Sequence, residues 1–346
     1  MSRSLLAVGM ITLLFAPSSR AQDEMRLRGQ ISFQMNKATA IVLHPETKYL
    51  GAGFTDGSIL FFGPQAGKFI SVEFAKAHQQ AVNAVAFSTD GAWFATASAD
   101  GTVKIWESYT LDRFQTDCQT RKEGAPLPPV PAAKKTIQVH QFPLTAVAFS
   151  PDGKTILAGC KDGSIRAHTI STLKQAALFP PHRGSVNAVA YSPDGKLIAS
   201  AGADKIVKLA KAEGKPGLTL PIHDGPVLDL SFSPDSKQVA TASGIAKKSG
   251  IVRIFAVESG KEEATLAKST DVINTVSFHP KLPRLATGGP DKKLRVWDTE
   301  TKKEIYADTY AKEIVRAVYS GDGKMLGGIS VEEIMWWSGD WEKPTK

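Results

Sequence analysis

Seven histidines and two cysteines are the side chains of this 346-residue sequence best suited to metal or nucleophile chemistry. A zinc centre needs three or four converging ligands, and two cysteines exclude a four-thiolate site or a disulfide-dense scaffold. The histidines fall at recurring intervals instead. His78, His140, His182 and His223 each precede a similar apolar stretch, His44 and His279 each follow one, and His168 stands at a further repeated position. Such spacing assigns a side chain to a repeated structural place rather than to a single centre. The nucleophile pattern G-x-S-x-G and the metalloprotease pattern H-E-x-x-H are absent. Gly153-Lys154-Thr155 ends like a phosphate loop, but Ala148 stands where the first glycine belongs and the triplet lies in a hairpin turn. No catalytic residue, cofactor or metal ligand is therefore assigned. Cys118 and Cys160 fit either a disulfide or two buried thiols, and that choice stays open.

The elements that position these residues are repeated. AVNAVAFSTDGAWFATASADGTVKIW from Ala81, LTAVAFSPDGKTILAGCKDGSIRAH from Leu144 and SVNAVAYSPDGKLIASAGADKIVKLA from Ser185 are the clearest copies. Aligning the apolar residue before each first turn gives Leu43, Phe87, Phe149, Tyr191, Phe232, Phe278 and Tyr319, spaced by 44, 62, 42, 41, 46 and 41 residues. A period near 42 is a repeat architecture with two insertions. Within each copy the runs are short and rich in β-branched and aromatic residues, as in VAFS, TVKIW and LRVW. Asp-Gly pairs such as Asp90-Gly91 and Asp100-Gly101 supply the positive φ that tight turns demand. Four antiparallel strands per copy, seven times over, predict an all-β, seven-bladed β-propeller.

These residues resemble the WD-repeat (WD40) family over most of the chain. The family's marks are a His before the innermost strand, a Ser/Thr and an Asp around the second turn, and a terminal Trp-Asp, present in full as Trp297-Asp298. By resemblance, His78, Ser98, Asp100 and Trp106 form the one complete structural hydrogen-bond set. Elsewhere the Trp position holds Phe62, His168, Ala210 or Phe255. The resemblance also implies that the segment from Arg26 to Gln34 closes the ring by completing the C-terminal blade, which removes two exposed sheet edges.

Residues 1–21 read as a secretory signal peptide: Arg3, an uncharged apolar run from Leu5 to Phe15, then Ser19-Arg20-Ala21 for cleavage near Ala21. The run is too short for a stable membrane span. The expected mature unit is one domain, 22–346, working as a monomer outside the cytoplasm, periplasmic or secreted.

Two departures from the period carry further expectations. Residues 119–135 (QTRKEGAPLPPVPAAKK) read as a proline-rich, basic insertion between blades, and the swollen second turn of the fifth copy contributes Lys247 and Lys248. Both are expected on one face, around a ring of residues that begin the innermost strands: Thr39, Asn83, Thr145, Asn187, Leu228, Asn274 and Arg316. By resemblance to the family, that ring is where a protein or peptide partner docks. The expected function is thus a non-enzymatic interaction scaffold. Its rivals are a binder of an acidic polymer (a glycan or nucleic acid), given a net charge of +8, and a cofactor- or metal-dependent propeller enzyme.

Overall fold

The structure is a computed structural model that describes residues 26–32, 37–46, 49–65, 68–74, 76–108, 111, 132–330 and 332–338. The signal segment 1–21 and Cys118 lie outside the described residues. Strands from Arg26–Ser32 to Glu333–Ser338 form seven four-stranded antiparallel sheets. Blades 1 to 6 comprise residues 38–74, 82–138, 144–179, 186–219, 227–269 and 275–309, each with its strands in chain order. Blade 7 comprises 316–338 with Arg26–Ser32 as its outermost strand, paired antiparallel to Glu333–Ser338. Blades 7 and 1 share one apolar core, in which Ile329, Ile334 and Trp336 pack with Ala38, Ile41 and Leu43. No helix among the described residues is long and apolar enough to cross a membrane.

The distribution of residue sizes explains the taper of the blades. The second strands, close to the axis, bury Ala95, Ala97, Ala158, Ala199, Ala201, Ala240 and Ala242. Larger side chains such as Ile105, Phe255, Trp297 and Trp337 sit on the third strands, where neighbouring sheets diverge. Gly159 marks one close approach: a Cβ there would lie 2.6 Å from Val186 Cγ1 of the next blade. The first turn of each blade is fixed by its own side chains. In blade 2, Ser88 Oγ donates to Asp90 Oδ1 (2.5 Å) and accepts from the Trp93 amide (2.9 Å). The same pairing recurs as Ser150–Asp152, Ser192–Asp194, Ser233–Asp235 and Ser320–Asp322. The serine hydroxyl holds Asp90, Asp152, Asp194 and Asp235 below the usual carboxylate range.

Antiparallel order also assigns every loop to a face. The connections between blades and the second turns emerge where the innermost strands begin, here named the top face; first and third turns emerge at the bottom. One expectation changes as a result. The fourth strand of blade 2 is Lys135–Gln138, which pairs with Thr102–Glu107. Positions 119–134 therefore precede the fourth strand of blade 2 in the chain and do not separate two blades, and residues 119–131 lie outside the described residues. Pattern misplaced the strand because KTIQ is short, polar and mostly uncovered.

Arg26–Ser32 covers the hydrogen-bonding edge of Glu333–Ser338. Deleting 26–34 should expose that edge and loosen the core shared by blades 7 and 1. Differential scanning calorimetry should show a melting temperature lowered by about 10 °C, or aggregation; an unchanged monomer would remove the strand from its role.

Candidate protein-interaction face

Among the described residues, a linked chain of four polar side chains lies in blade 2. Trp106 Nε1 donates to Thr96 Oγ1 (3.2 Å), Thr96 Oγ1 lies 2.7 Å from His78 Nε2, and His78 Nδ1 lies 3.0 Å from Asp100 Oδ2. These distances define one directed chain. The His78 Nδ1–H donates to the carboxylate, so Nε2 accepts the Thr96 hydroxyl and the ring is neutral. Burial lowers the His78 pKa in spite of Asp100. For Asp100, burial works upward, but hydrogen bonds from Thr102 and the adjoining His78 hold the carboxyl below its ordinary value. The hydroxyl in this chain is Thr96 and not Ser98. Ser98 Oγ donates to the Gln80 carbonyl (3.1 Å) and accepts the Asp100 amide (3.1 Å), which shapes the second turn. The two residues are separated by one pleat and face the same side, so alternation could not tell them apart.

That correction also changes the other blades. Blade 4 keeps three members: His182 contacts Asp204 (2.9 Å) and Ser200 (2.9 Å), with Ala210 in the Trp position. Blade 6 keeps only Trp297 on Thr287 (3.0 Å). In blade 5, His223 Nε2 meets Thr241 Oγ1 (3.0 Å), while its buried Nδ1 has no partner. Burial, with Arg253 adding, pushes His223 down to about 4.

Blade 3 has Ala158 in place of the hydroxyl, and its histidine turns differently. His140 Nε2 lies 3.4 Å from Asp162, and Nδ1 accepts the Phe142 amide (3.2 Å). His140, Cys160 and Asp162 offer ligand atoms within 4.8 Å of one another, the spacing of a metal cluster. The accepting Nδ1 places the proton on Nε2, so the ring presents a hydrogen and not a lone pair to the group. Cys160 is a buried free thiol whose pKa burial raises, the opposite of a metal-ready thiolate.

The ring at the channel mouth is built from bonds between blades. Thr39 donates to the Val82 carbonyl, Asn83 to Leu144 (2.7 Å), Thr145 to Val186, Asn187 to Val227 (2.8 Å) and Asn274 to Ile314 (3.2 Å), each carbonyl on the next blade or, at Ile314, in the connection leading into it. Leu228 has no polar tip, and its neighbour Asp229 takes over: Oδ2 accepts the Thr275 hydroxyl (3.0 Å) and the Val276 amide (3.1 Å). Arg316 reaches past blade 6 to the other oxygen of Asp229 (2.9 Å). The channel between these strands has a volume of about 270 Å³. Sequence reasoning found the ring but missed this work. The signal was the repeated Thr or Asn at one register, which a strand residue facing only solvent has no reason to keep. At the bottom, His44 and His279 make equivalent bonds to the Gly91 (3.2 Å) and Gly323 (3.1 Å) carbonyls of the following blades. Lys247 and Lys248 are exposed on the top face.

Comparison with known proteins now adds to this geometry. A family model described as "WD domain, G-beta repeat" matches residues 69–107, 132–168, 173–210, 214–255 and 260–298. Periodic tryptophan protein 2 homolog of Dictyostelium discoideum is 23% identical over 312 residues, covering 87% of this chain and 31% of that protein. Eukaryotic translation initiation factor 3 subunit I of Drosophila melanogaster is 25% identical over 192 residues, 45% of this chain and 58% of that protein. WD repeat-containing protein 90 of Mus musculus is 29% identical over 161 residues, 38% of this chain and 8% of that protein. The chain thus spans only part of each of these relatives.

Two measurements check the polar chain. Thr96→Val removes the hydroxyl shared by His78 Nε2 and Trp106 Nε1, and should cost about 2–4 kcal/mol in urea unfolding, whereas Ser200→Ala removes one that serves only His182 and should cost about half as much. Equal losses would deny the Trp106 link its share. The second concerns acid. His223 binds a proton in the unfolded chain near its ordinary 6.5 but in the folded chain only near about 4. Its contribution to stability is therefore complete above pH 6.5 and lost as pH falls towards 4. His223→Gln should flatten the fall of the urea midpoint between pH 7 and pH 4.5; an unchanged slope would assign the acid sensitivity to other groups.

Proposed function

The chain belongs to the WD40 family, and from that premise we propose that it is a non-enzymatic platform on which a protein or peptide partner docks across the top face. The observation that carries this reading is the fastening of innermost strands through Thr39, Asn83, Thr145, Asn187 and Asn274. Fastened blades hold the second turns and the inter-blade connections at fixed spacings, so a partner touching several of them orders little on binding. The ring supplies the frame, while exposed turn residues such as Lys247 and Lys248 supply contacts. One relative is named as a subunit of a translation initiation factor, which agrees with work inside an assembly. The tying of buried histidines into blade bonds speaks for a structural use of the residues that would otherwise invite an enzymatic reading.

The same proposal includes export. Arg3, the apolar run from Leu5 to Phe15 and Ser19-Arg20-Ala21 support cleavage after Ala21 and a monomer working outside the cytoplasm. N-terminal sequencing of the protein from its own cells should begin at Gln22; an intact Met1 would reject that part alone.

The docking face is tested by lysine cross-linking of the full chain to the partner it retains from its native extract. Cross-links should run from Lys205, Lys247, Lys248 and Lys292. A partner cross-linked instead through Lys196 and Lys302 would make the bottom the working face and overturn the reading.

A further inference from the structure

The second turns of the seven blades differ in one respect that the repeat alone does not require. Blades 1 to 3 place glycine at the left-handed position of this turn: Gly57 (φ 85°), Gly101 (φ 80°) and Gly163 (φ 93°). Blades 4 and 6 place lysine there, Lys205 (φ 68°) and Lys292 (φ 64°), and the extended turn of blade 5 has a left-handed lysine, Lys247 (φ 55°), one residue before the Lys248 amide that closes it. This backbone suits glycine and is unfavourable for a residue with a Cβ. Three successive blades thus keep a cation where glycine would fold with less strain.

These ammonium groups are also unneutralised. On the bottom face, the first-turn lysines Lys154, Lys196, Lys237 and Lys324 lie 3.7, 3.4, 3.9 and 3.8 Å from the aspartate of their own turn. Among the described residues, Lys205, Lys247, Lys248 and Lys292 have no ion-pair partner; three acids of these turns and connections pair with other side chains, and the fourth holds a backbone amide. Asp204 holds His182 (2.9 Å), Asp224 holds Arg253 (3.2 Å), Asp291 holds Arg295 (2.7 Å), and Asp271 accepts the Lys247 amide (2.8 Å). Apolar side chains interrupt the cations. Ile222 is 68% exposed and Ile245 is 38% exposed. The His223 amide donates to the Lys205 carbonyl (3.0 Å), which sets Ile222 beside the first lysine. A Cβ on Gly225 would lie 2.9 Å from Ile245 Cγ1, so the second isoleucine adjoins the same connection.

We propose that this arc, from Lys205 across Ile222, Ile245, Lys247 and Lys248 to Lys292, docks an acidic peptide segment of a protein partner that carries aliphatic side chains between its carboxylates. Charge complementarity names the acidic component, and the exposed isoleucines name the aliphatic one. Carboxylates steer and orient the segment over the lysines, while aliphatic burial against Ile222 and Ile245 retains it. A purely polyanionic ligand would use the lysines and leave both isoleucines in water. The inference rests on the top face being the working surface and narrows it to blades 4 to 6.

The test uses the full chain and three labelled probes: a short peptide of alternating glutamate and leucine, the same peptide with serine for leucine, and a heparin oligosaccharide. The glutamate–leucine peptide should bind at least about tenfold more tightly than the serine peptide. Lys205→Gly, Lys247→Gly and Lys292→Gly together should weaken it at least about tenfold and flatten its salt dependence, with no loss of thermal stability because glycine suits the three backbones. Ile222→Ser with Ile245→Ser should weaken only the leucine-bearing probe. Lys196→Ser with Lys302→Ser, on the bottom, should change nothing. The proposal is overturned if the glutamate–leucine peptide does not bind, if heparin or the serine peptide binds as tightly, or if the triple glycine variant binds like the parent chain. A native partner cross-linked over blades 1 to 3 would also overturn the arc, yet leave the platform reading standing.

Discussion

The innermost strand of one blade must be fastened to the next without a continuous sheet between them, and the rest of this molecule depends on how that is done. Neighbouring blades are separate sheets, so no backbone ladder crosses from one to another. Apolar contact alone would let such wedges slide, because dispersion and burial are non-directional. A threonine or asparagine side chain reaching a carbonyl of the next blade is directional. It is repeated from Thr39 to Asn274, and it satisfies a polar group beside the channel that would otherwise be lost to burial. At blade 5 the position is apolar, and the ring compensates with a different chemistry. Asp229 accepts two bonds from blade 6 and an ion pair from Arg316 of blade 7. A single carboxylate thus ties three consecutive blades.

What the sequence made legible follows from what is local. Strands, first turns and the count of blades rest on residues within about five positions of one another, such as Ser88, Asp90 and Gly91, and those were readable from pattern. Relations between blades were not. Nothing within a copy says that Asn83 bonds Leu144, since the two are 61 positions apart. The choice between Thr96 and Ser98 failed for a subtler reason: both lie on one face of one strand, and only the depth of the His78 ring along that strand selects the inner hydroxyl. The placement of the insertion failed because a fourth strand is outermost and mostly exposed, so Lys135–Gln138 has no hydrophobic alternation to announce it.

The unequal wear of the buried polar chain obeys a simple energetic rule. Losing a donor and its acceptor together is nearly neutral, whereas losing one alone leaves the other desolvated and unpaired. Blade 6 has lost its histidine and retains a satisfied Trp297–Thr287 pair. Blade 4 has lost its tryptophan, a donor at the end of the chain, and every remaining member is satisfied. Blade 5 is the exception, having kept a histidine whose Nδ1 faces no acceptor. The same absent aspartate accompanies the swollen turn that carries Lys247 and Lys248, so the least settled polar set and the most altered turn occupy one blade.

That coincidence bears on the division of labour around the ring. A second turn locked by an aspartate accepting the backbone amides around it, as Asp100 accepts those of Gln79 and Thr102, has little freedom to vary. Blade 5 gives up that lock and replaces it with support from the following connection, where Asp271 accepts the Lys247 amide. The turn is then held from outside its own blade, and its length and side chains are released from the repeat. Lysine at left-handed backbone in the flanking turns of blades 4 and 6 departs from the glycine pattern in the same direction. Left-handed residues with a side chain occur at the bottom too, at Leu173, Ser236 and Lys302, so the frame carries such strain on both faces. What sets the second turns of blades 4 to 6 apart is that each of their left-handed residues is a lysine, a side chain that adds charge to the surface and nothing to the packing beneath it.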